Sequence, residues 1–196
     1  MSIKGSLVET LEILDKGKIP LANYEVLEDK KDLKNLTFPI YIKIDSQKHK
    51  SKIGGVRRCN NQEEAMVAIK YLLRKFPKNL LLLQEEIKGR EIFVGIKKDK
   101  IFGKILVVGA GGTKVESKKD LSFRALPVKR TDIKRMIREL KIYRELRKEN
   151  KKALKGLVTL IKNTSHLAKK LKFKELDLNP VILTSDGAFI VDARII

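Results

Sequence analysis

From Pro39 the chain alternates: Ile40, Ile42 and Ile44 fall on one side, and Tyr41, Lys43 and Asp45 on the other. A period of two predicts a half-buried strand with Lys43 on the face away from the core. A polar stretch, Ser46 to Lys52, leads to Gly54-Gly55 and a second extended segment. Asn60, with Glu63 three residues later, then predicts a capping box. Ala65, Ile69, Leu72, Leu73 and Phe76 recur at helical spacing until Pro77 stops the helix. The β-rich segments Leu80–Ile87, Glu91–Lys97 and Ile101–Val108 predict an antiparallel meander, interrupted by the glycine cluster Gly109, Gly111 and Gly112. Two basic amphipathic helices follow, one striped by Ile133, Met136, Ile137 and Leu140, the other by Leu154, Leu157, Val158, Ile161, Leu167 and Leu171. The chain closes on alternating segments around Asp186-Gly187, a hairpin pattern. Strands in two batches with helices between them predict an α+β architecture of two interleaved lobes rather than one doubly wound sheet.

The closing hairpin gathers the most informative polar residues. A turn centred on Asp186-Gly187 sets residue 179 opposite 194 and 181 opposite 192, which puts Asp177, Asn179, Asp192 and Arg194 on one sheet face. A carboxylate, an amide oxygen and a nearby cation suit magnesium carried by a nucleotide, where phosphates and water complete the shell. The same pattern equally describes the solvent side of an ordinary hairpin. A slip of one residue would separate the group. Lys43 beside Gly54-Gly55 is a second candidate, since glycine lets backbone N–H groups approach phosphates and an ammonium neutralises them. His49 lies in the basic run Lys48-His49-Lys50-Ser51-Lys52, where an imidazole could accept a phosphoryl group. His166, at the edge of a helical stripe, reads as structural or surface.

Composition narrows the classes. The 196 residues suffice for one domain with a real core or two small lobes. Lys and Arg outnumber Asp and Glu 44 to 24, a net charge of +20. That balance fits a solvated Lys-rich surface or an anionic partner. Base recognition is disfavoured, because there is no Trp and aromatics make up 6% of the chain. Cys59 is the single cysteine, so an internal disulfide and a Cys-rich metal site are excluded. No signal-peptide or membrane-spanning pattern is present, and a cytoplasmic setting is expected.

The order and spacing of these segments resemble the ATP-grasp β subunit of ADP-forming acetyl-CoA and acyl-CoA synthetases, and more distantly that of succinyl-CoA synthetase. The resemblance is carried by Ile42-Lys43-Ile44, His49-Lys50-Ser51 with Gly54-Gly55-Val56, Gln84-Glu85, Gly89 to Gly95, Gly109 to Gly112, Val115-Glu116, Lys119 to Arg124, Asp177-Leu178-Asn179-Pro180 and Val191 to Ile195. It runs over nearly the whole chain. It implies one ATP-grasp domain over residues 1–196, with lobes of about 18–83 and 84–196 gripping ATP or ADP with magnesium. It implies Lys43 and the Gly54-Gly55 loop at the phosphates, the backbone of Gln84, Glu85 and Ile87 at adenine, and Glu91 at the ribose. It places Asn179 and Asp192 as magnesium ligands, Arg124 and Arg194 as phosphate contacts, Asp177 beside a partner's phosphohistidine loop, and His49 as a phosphoryl carrier.

The activity implied is an acid–CoA ligase (ADP-forming) that couples acyl-CoA cleavage to ATP synthesis. It needs an α subunit bearing the CoA-binding domain and the main catalytic histidine, in a hetero-oligomer without membrane association. Lys52 stands where the family reads an acidic residue, and the loop from Lys43 to His49 is about two residues short. A diverged nucleotide-binding scaffold is therefore a second expectation, and a basic nucleic-acid binder a third.

Overall fold

A computed structural model describes residues 5–27, 36–46, 50–112, 120–148 and 151–196. It divides into two units: Ser6–Val8 with Ala22–Glu86, and Glu9–Leu21 with Ile87–Ile196. The first helix, α1 (Leu7–Lys16), has Leu7, Leu11 and Leu14 fully buried at three- and four-residue intervals. That stripe belongs to one helical face, and it stood in the sequence without being assigned.

The first unit is built on a four-stranded antiparallel sheet in the order β1 (Tyr24–Val26), β4 (Leu81–Glu85), β2 (Ile40–Ile44), β3 (Val56–Cys59). Its core sets Ile40, Ile42, Ile44 and Leu83 against Ile69 and Leu72 of α2 (Gln62–Lys75). The helix begins one residue later than the sequence suggested. Asn61 is the N-cap, its Oδ1 accepting from the Glu64 N–H at 2.9 Å, while the Glu64 carboxylate reaches back to the Asn60 N–H at 2.8 Å. Asn60 is held at the strand side by the Arg58 guanidinium, which leaves Asn61 to cap.

The expectation that β2 is half-buried is corrected. Lys43 is 5% exposed although Tyr41 on the same side stays half-buried, so the face expected to meet solvent is covered at Lys43. Gly55 packs at the end of this strand. A Cβ there would lie 2.6 Å from Ile44 Cδ1 and 2.7 Å from its Cγ1. Gly55→Ala is therefore expected to destabilise the protein by about 1–3 kcal/mol through overpacking, read as a lower midpoint in denaturant unfolding with an unchanged slope.

The second unit carries a six-stranded sheet ordered β10 (Ala193–Ile195), β8 (Glu175–Leu183), β5 (Arg90–Asp99), β6 (Gly103–Ala110), β7 (Leu121–Ala125), with β9 (Ala188–Ile190) also paired to β8. The predicted meander is corrected in two ways. It consists of β5, β6 and β7, while β4 belongs to the other sheet, because strand pairing is set by long-range burial that local alternation does not specify. Gly109 also lies inside β6 rather than breaking it.

The helices α3 (Arg130–Glu139), α4 (Tyr143–Leu146) and α5 (Lys151–Lys170) complete the unit, burying Ile133 and Met136 from α3 and Leu157, Leu160 and Ile161 from α5. Gly156 lets α5 approach the β8–β9 turn closely, since a Cβ there would stand 2.9 Å from the Ala188 nitrogen. The Lys104 ammonium closes the C-terminal end of α5 by donating to the carbonyls of Ala168 and, at 2.7 Å, of Leu171. Burial pushes the Lys104 pKa below its ordinary value. Among the described residues no helix is long and apolar enough to cross a membrane.

Candidate functional site

The polar face of the closing hairpin assembles, but in a different register from the one expected. Arg194 stands opposite Asp177, and Val181 opposite Ile190, so the turn centres on Ser185-Asp186 rather than Asp186-Gly187. The Thr184 N–H donates to the Gly187 carbonyl at 2.9 Å across it. The difference is two residues. An even slip returns every side chain to its original face. Leu176, Leu178, Ala193 and Ile195 are accordingly buried on the core face, while Asp177, Asp192 and Arg194 are half-buried and Asn179 is exposed.

The backbone binds the two candidate metal ligands side by side, the Asn179 N–H donating to the Asp192 carbonyl at 3.0 Å. The Asp192 carboxylate accepts the Ala193 N–H at 3.0 Å through Oδ1, which orients it. Arg194 Nη2 lies 3.9 Å from Asp177 Oδ2, a loose pair at a cross-strand position. An amide oxygen next to a fixed carboxylate is a donor set that fits magnesium on a nucleotide, which takes few protein ligands. No group of three or more His, Cys, Asp or Glu side chains able to hold a metal occurs among the described residues, so a metal here would depend on oxygens from a ligand and water.

Two further candidates lie on the same sheet. Glu91, at the start of β5, has its carbonyl bonded to the Gly111 N–H at 3.1 Å, and a Cβ on Gly112 would come within 3.1 Å of Glu91 Oε2. The glycine cluster therefore seats its backbone against this glutamate. Arg124 on β7 is clasped by Glu139 of α3 and also donates to the Phe123 carbonyl at 2.7 Å. Glu139 was not singled out in the sequence, where nothing ties a helical glutamate to an arginine 15 residues earlier. The Arg124 hydrogen bond, aided by one from Ser122, holds the Glu139 carboxyl below its usual pKa. The sign follows: this clasp adds stability above the ordinary carboxylate range and loses it as pH falls through the lowered value.

Asp120, at the head of the same strand, is buried and accepts the Lys141 N–H at 2.7 Å and the Ile142 N–H at 3.1 Å. It fixes the turn after α3. Asp120→Ala leaves two N–H donors without their acceptor and is expected to cost about 1–3 kcal/mol, measurable by urea unfolding.

In the first unit, Lys43 donates to Gln84 Oε1 at 2.5 Å across the β2–β4 pair. Gln84 is 1% exposed, and its Nε2 has no hydrogen-bond partner among the described residues, so this amide has donor capacity left over in a buried place. The Glu85 carboxylate is occupied by Asn23, through its N–H at 3.0 Å and its Nδ2 at 3.1 Å. The Glu86 carboxylate takes Arg58 Nε at 2.6 Å. The Glu85 and Glu86 N–H groups donate to Asn23 and Pro39 carbonyls, whereas the Ile87 N–H has no partner among the described residues.

The N–H groups of the glycine pair are bonded within their own loop: Gly54 N–H donates to Ser51 at 3.2 Å and Gly55 N–H to Lys50 at 2.7 Å. Gly54 has φ +73°, which glycine adopts without strain. The pair is explained by turn geometry and by contact with Ile44. His49, Val115, Glu116 and Lys119 lie outside the described residues.

Comparison with known proteins places these features in a family. The profile of the ATP-grasp domain matches residues 6–196. The β subunit of acetate–CoA ligase (ADP-forming) I from Pyrococcus furiosus is 33% identical over 207 aligned positions, covering 96% of this chain and 89% of that protein. Acetate–CoA ligase (ADP-forming) II from Archaeoglobus fulgidus is 34% identical over 174 positions, and there the chain spans 85% of itself but only 26% of its relative. A structure of dinucleotide-forming acetyl-coenzyme A synthetase 1 from Candidatus Korarchaeum cryptofilum superposes with a TM-score of 0.84 at 29% identity, covering 97% of this chain and 92% of that one. That structure holds coenzyme A and Mg-AMPPCP, with a phosphohistidine segment pointing towards the nucleotide-binding site. The chain belongs to the ATP-grasp domain family, has its fold, and is homologous to the β subunits of ADP-forming acetate–CoA ligases.

Proposed function

We propose that this chain is the nucleotide-binding subunit of an ADP-forming acyl-CoA ligase. It would pass a phosphoryl group between ATP or ADP and a histidine, so that acyl-CoA cleavage drives ATP synthesis. The observation that carries the reading is the single polar face on which Asp177, Asn179, Asp192 and Arg194 come together in register. The names of the relatives agree with it.

Asn179 and Asp192 would hold magnesium, which neutralises charge on the phosphates when it is bound. Lys43, fixed by Gln84, supplies an ammonium to the phosphates; the spare Gln84 Nε2 and the Ile87 N–H are donors for the base. Glu91 would accept from the ribose hydroxyls. Arg124, held by Glu139, and Arg194, loosely paired with Asp177, would be cations for the charge that develops on the transferring group. Asp177 would orient an incoming imidazole. His49 remains a candidate carrier in phosphoryl transfer. A partner chain with the CoA-binding domain and a catalytic histidine would complete the reaction.

Reconstitution tests this reading. Mixed with a partner chain that carries a CoA-binding domain and a catalytic histidine, the chain should form ATP from ADP and phosphate only when acyl-CoA is supplied. Nucleotide binding without such turnover would support the diverged scaffold instead.

A further inference from the structure

Apart from the candidate site residues, α3, α4 and α5 line a cavity of about 210 Å3. Its floor is apolar, formed by Ile137, Leu154 and Val158 with the Tyr143 ring at one side. Its rim is cationic: Arg130, Lys134 and Arg138 from α3 and Lys155 from α5, all exposed. None of the four has a carboxylate or hydrogen-bond partner among the described residues.

Nearby acids are committed elsewhere. Asp132 accepts the Lys129 N–H at the start of α3, Glu139 holds Arg124, and Glu145 holds Arg90 at 2.7 Å. The sequence of α5 contains no acidic residue. Among the described residues, four like charges thus surround an apolar opening without a paired carboxylate, an arrangement that repels itself and favours an anionic cover.

We propose that this groove docks an acidic amphipathic helical segment of a partner polypeptide, with one large apolar side chain in the cavity and carboxylates along the rim. Two features select this occupant. The cavity is well under the roughly 300–1,000 Å3 of small-molecule pockets, but it accommodates a single anchoring side chain. Arg130, Lys134 and Arg138 follow each other at four-residue spacing, so they form a row of about 12 Å rather than a focus. A row meets carboxylates one helical turn apart, whereas a lone phosphate needs convergent donors. A nucleic acid would find the charges but, for stacking, a single tyrosine ring beside an aliphatic floor, where successive bases need several aromatic platforms. The docking surface also gives part of the +20 net charge a purpose. It does not depend on the nucleotide reading.

The test uses the full chain and a labelled peptide of about four helical turns, with Glu every fourth position beside a Leu stripe, against a permuted peptide of the same composition. The patterned peptide should bind at least tenfold more tightly, perturbing the methyl NMR signals of Ile137 and Val158. The double variant Lys134→Glu/Arg138→Glu should abolish that preference while leaving the unfolding midpoint and ADP binding unchanged. Equal binding of both peptides, or a preference that survives in the double variant, overturns the proposal. So does tighter binding of inorganic phosphate or a single-stranded oligonucleotide that disappears in the double variant, which would assign the groove to those ligands.

Discussion

Asp192→Asn is expected to weaken magnesium-dependent nucleotide binding by about 10- to 100-fold, the scale on which substitutions around a bound metal act, with the unfolding midpoint nearly unchanged. The substitution is chosen for what it keeps. Asp192 Oδ1 accepts the Ala193 N–H, and an asparagine oxygen can do the same, so the local turn between β9 and β10 survives. What disappears is the negative charge. Asn179→Ala should act in the same direction and more weakly, because it removes a neutral oxygen from an exposed position. Titration calorimetry with ADP at fixed magnesium measures both; affinity equal to the parent in Asp192→Asn would move the metal site elsewhere.

Lys43→Met is the second large effect. Methionine fills much of the volume of the lysine stem but cannot neutralise phosphate, and loss of a hydrogen bond to a charged group costs about 1.5–3 kcal/mol, or roughly 10- to 100-fold in affinity. Because Lys43 is buried and bonded to Gln84 Oε1, a separate stability loss of about 1–3 kcal/mol is expected from the amide oxygen left behind. The two losses are separated by measuring unfolding without nucleotide and affinity well below the midpoint. Lys43→Arg should restore affinity only in part, since a planar fork does not replace a compact ammonium in a buried slot. Undiminished ADP affinity in Lys43→Met would make this lysine a structural partner of Gln84 and nothing more.

Which features were legible in the sequence follows from the range of the forces involved. The polar face of the closing hairpin was legible because strand alternation is local, and an error of two residues in the turn leaves the faces intact. Most of the core stripes in α2, α3 and α5 were legible for the same reason: Ile69, Leu72, Ile133, Met136 and Leu157 recur at helical spacing and are buried, whereas Leu73, read into the α2 stripe, is 42% exposed because it lies one residue round the helix from Leu72. Lys43 was misjudged, since alternation reports which side a residue takes but not what covers that side. The assignment of β4 to the wrong sheet is a similar failure, because its partners β1 and β2 lie far back in the chain. Helix α1 had a readable signal in Leu7, Leu11 and Leu14. The grip of Glu139 on Arg124 had none, because it joins a strand to a helix through tertiary packing.

The glycine pair shows a different limit. Gly54 and Gly55 satisfied the general expectation for a phosphate loop, yet their N–H groups close a turn on Ser51 and Lys50. Spacing and residue type could not distinguish a loop that needs small residues for packing from one that offers donors to a ligand.

The central claim is that this chain binds a nucleotide through a magnesium-bearing polar face. Calorimetric titration of the unmodified protein with ADP and with a non-hydrolysable ATP analogue, in magnesium chloride and again in EDTA, tests it most directly. Saturable one-to-one binding that weakens at least tenfold when magnesium is removed is the predicted result; no binding under either condition, or an affinity indifferent to magnesium, would contradict it.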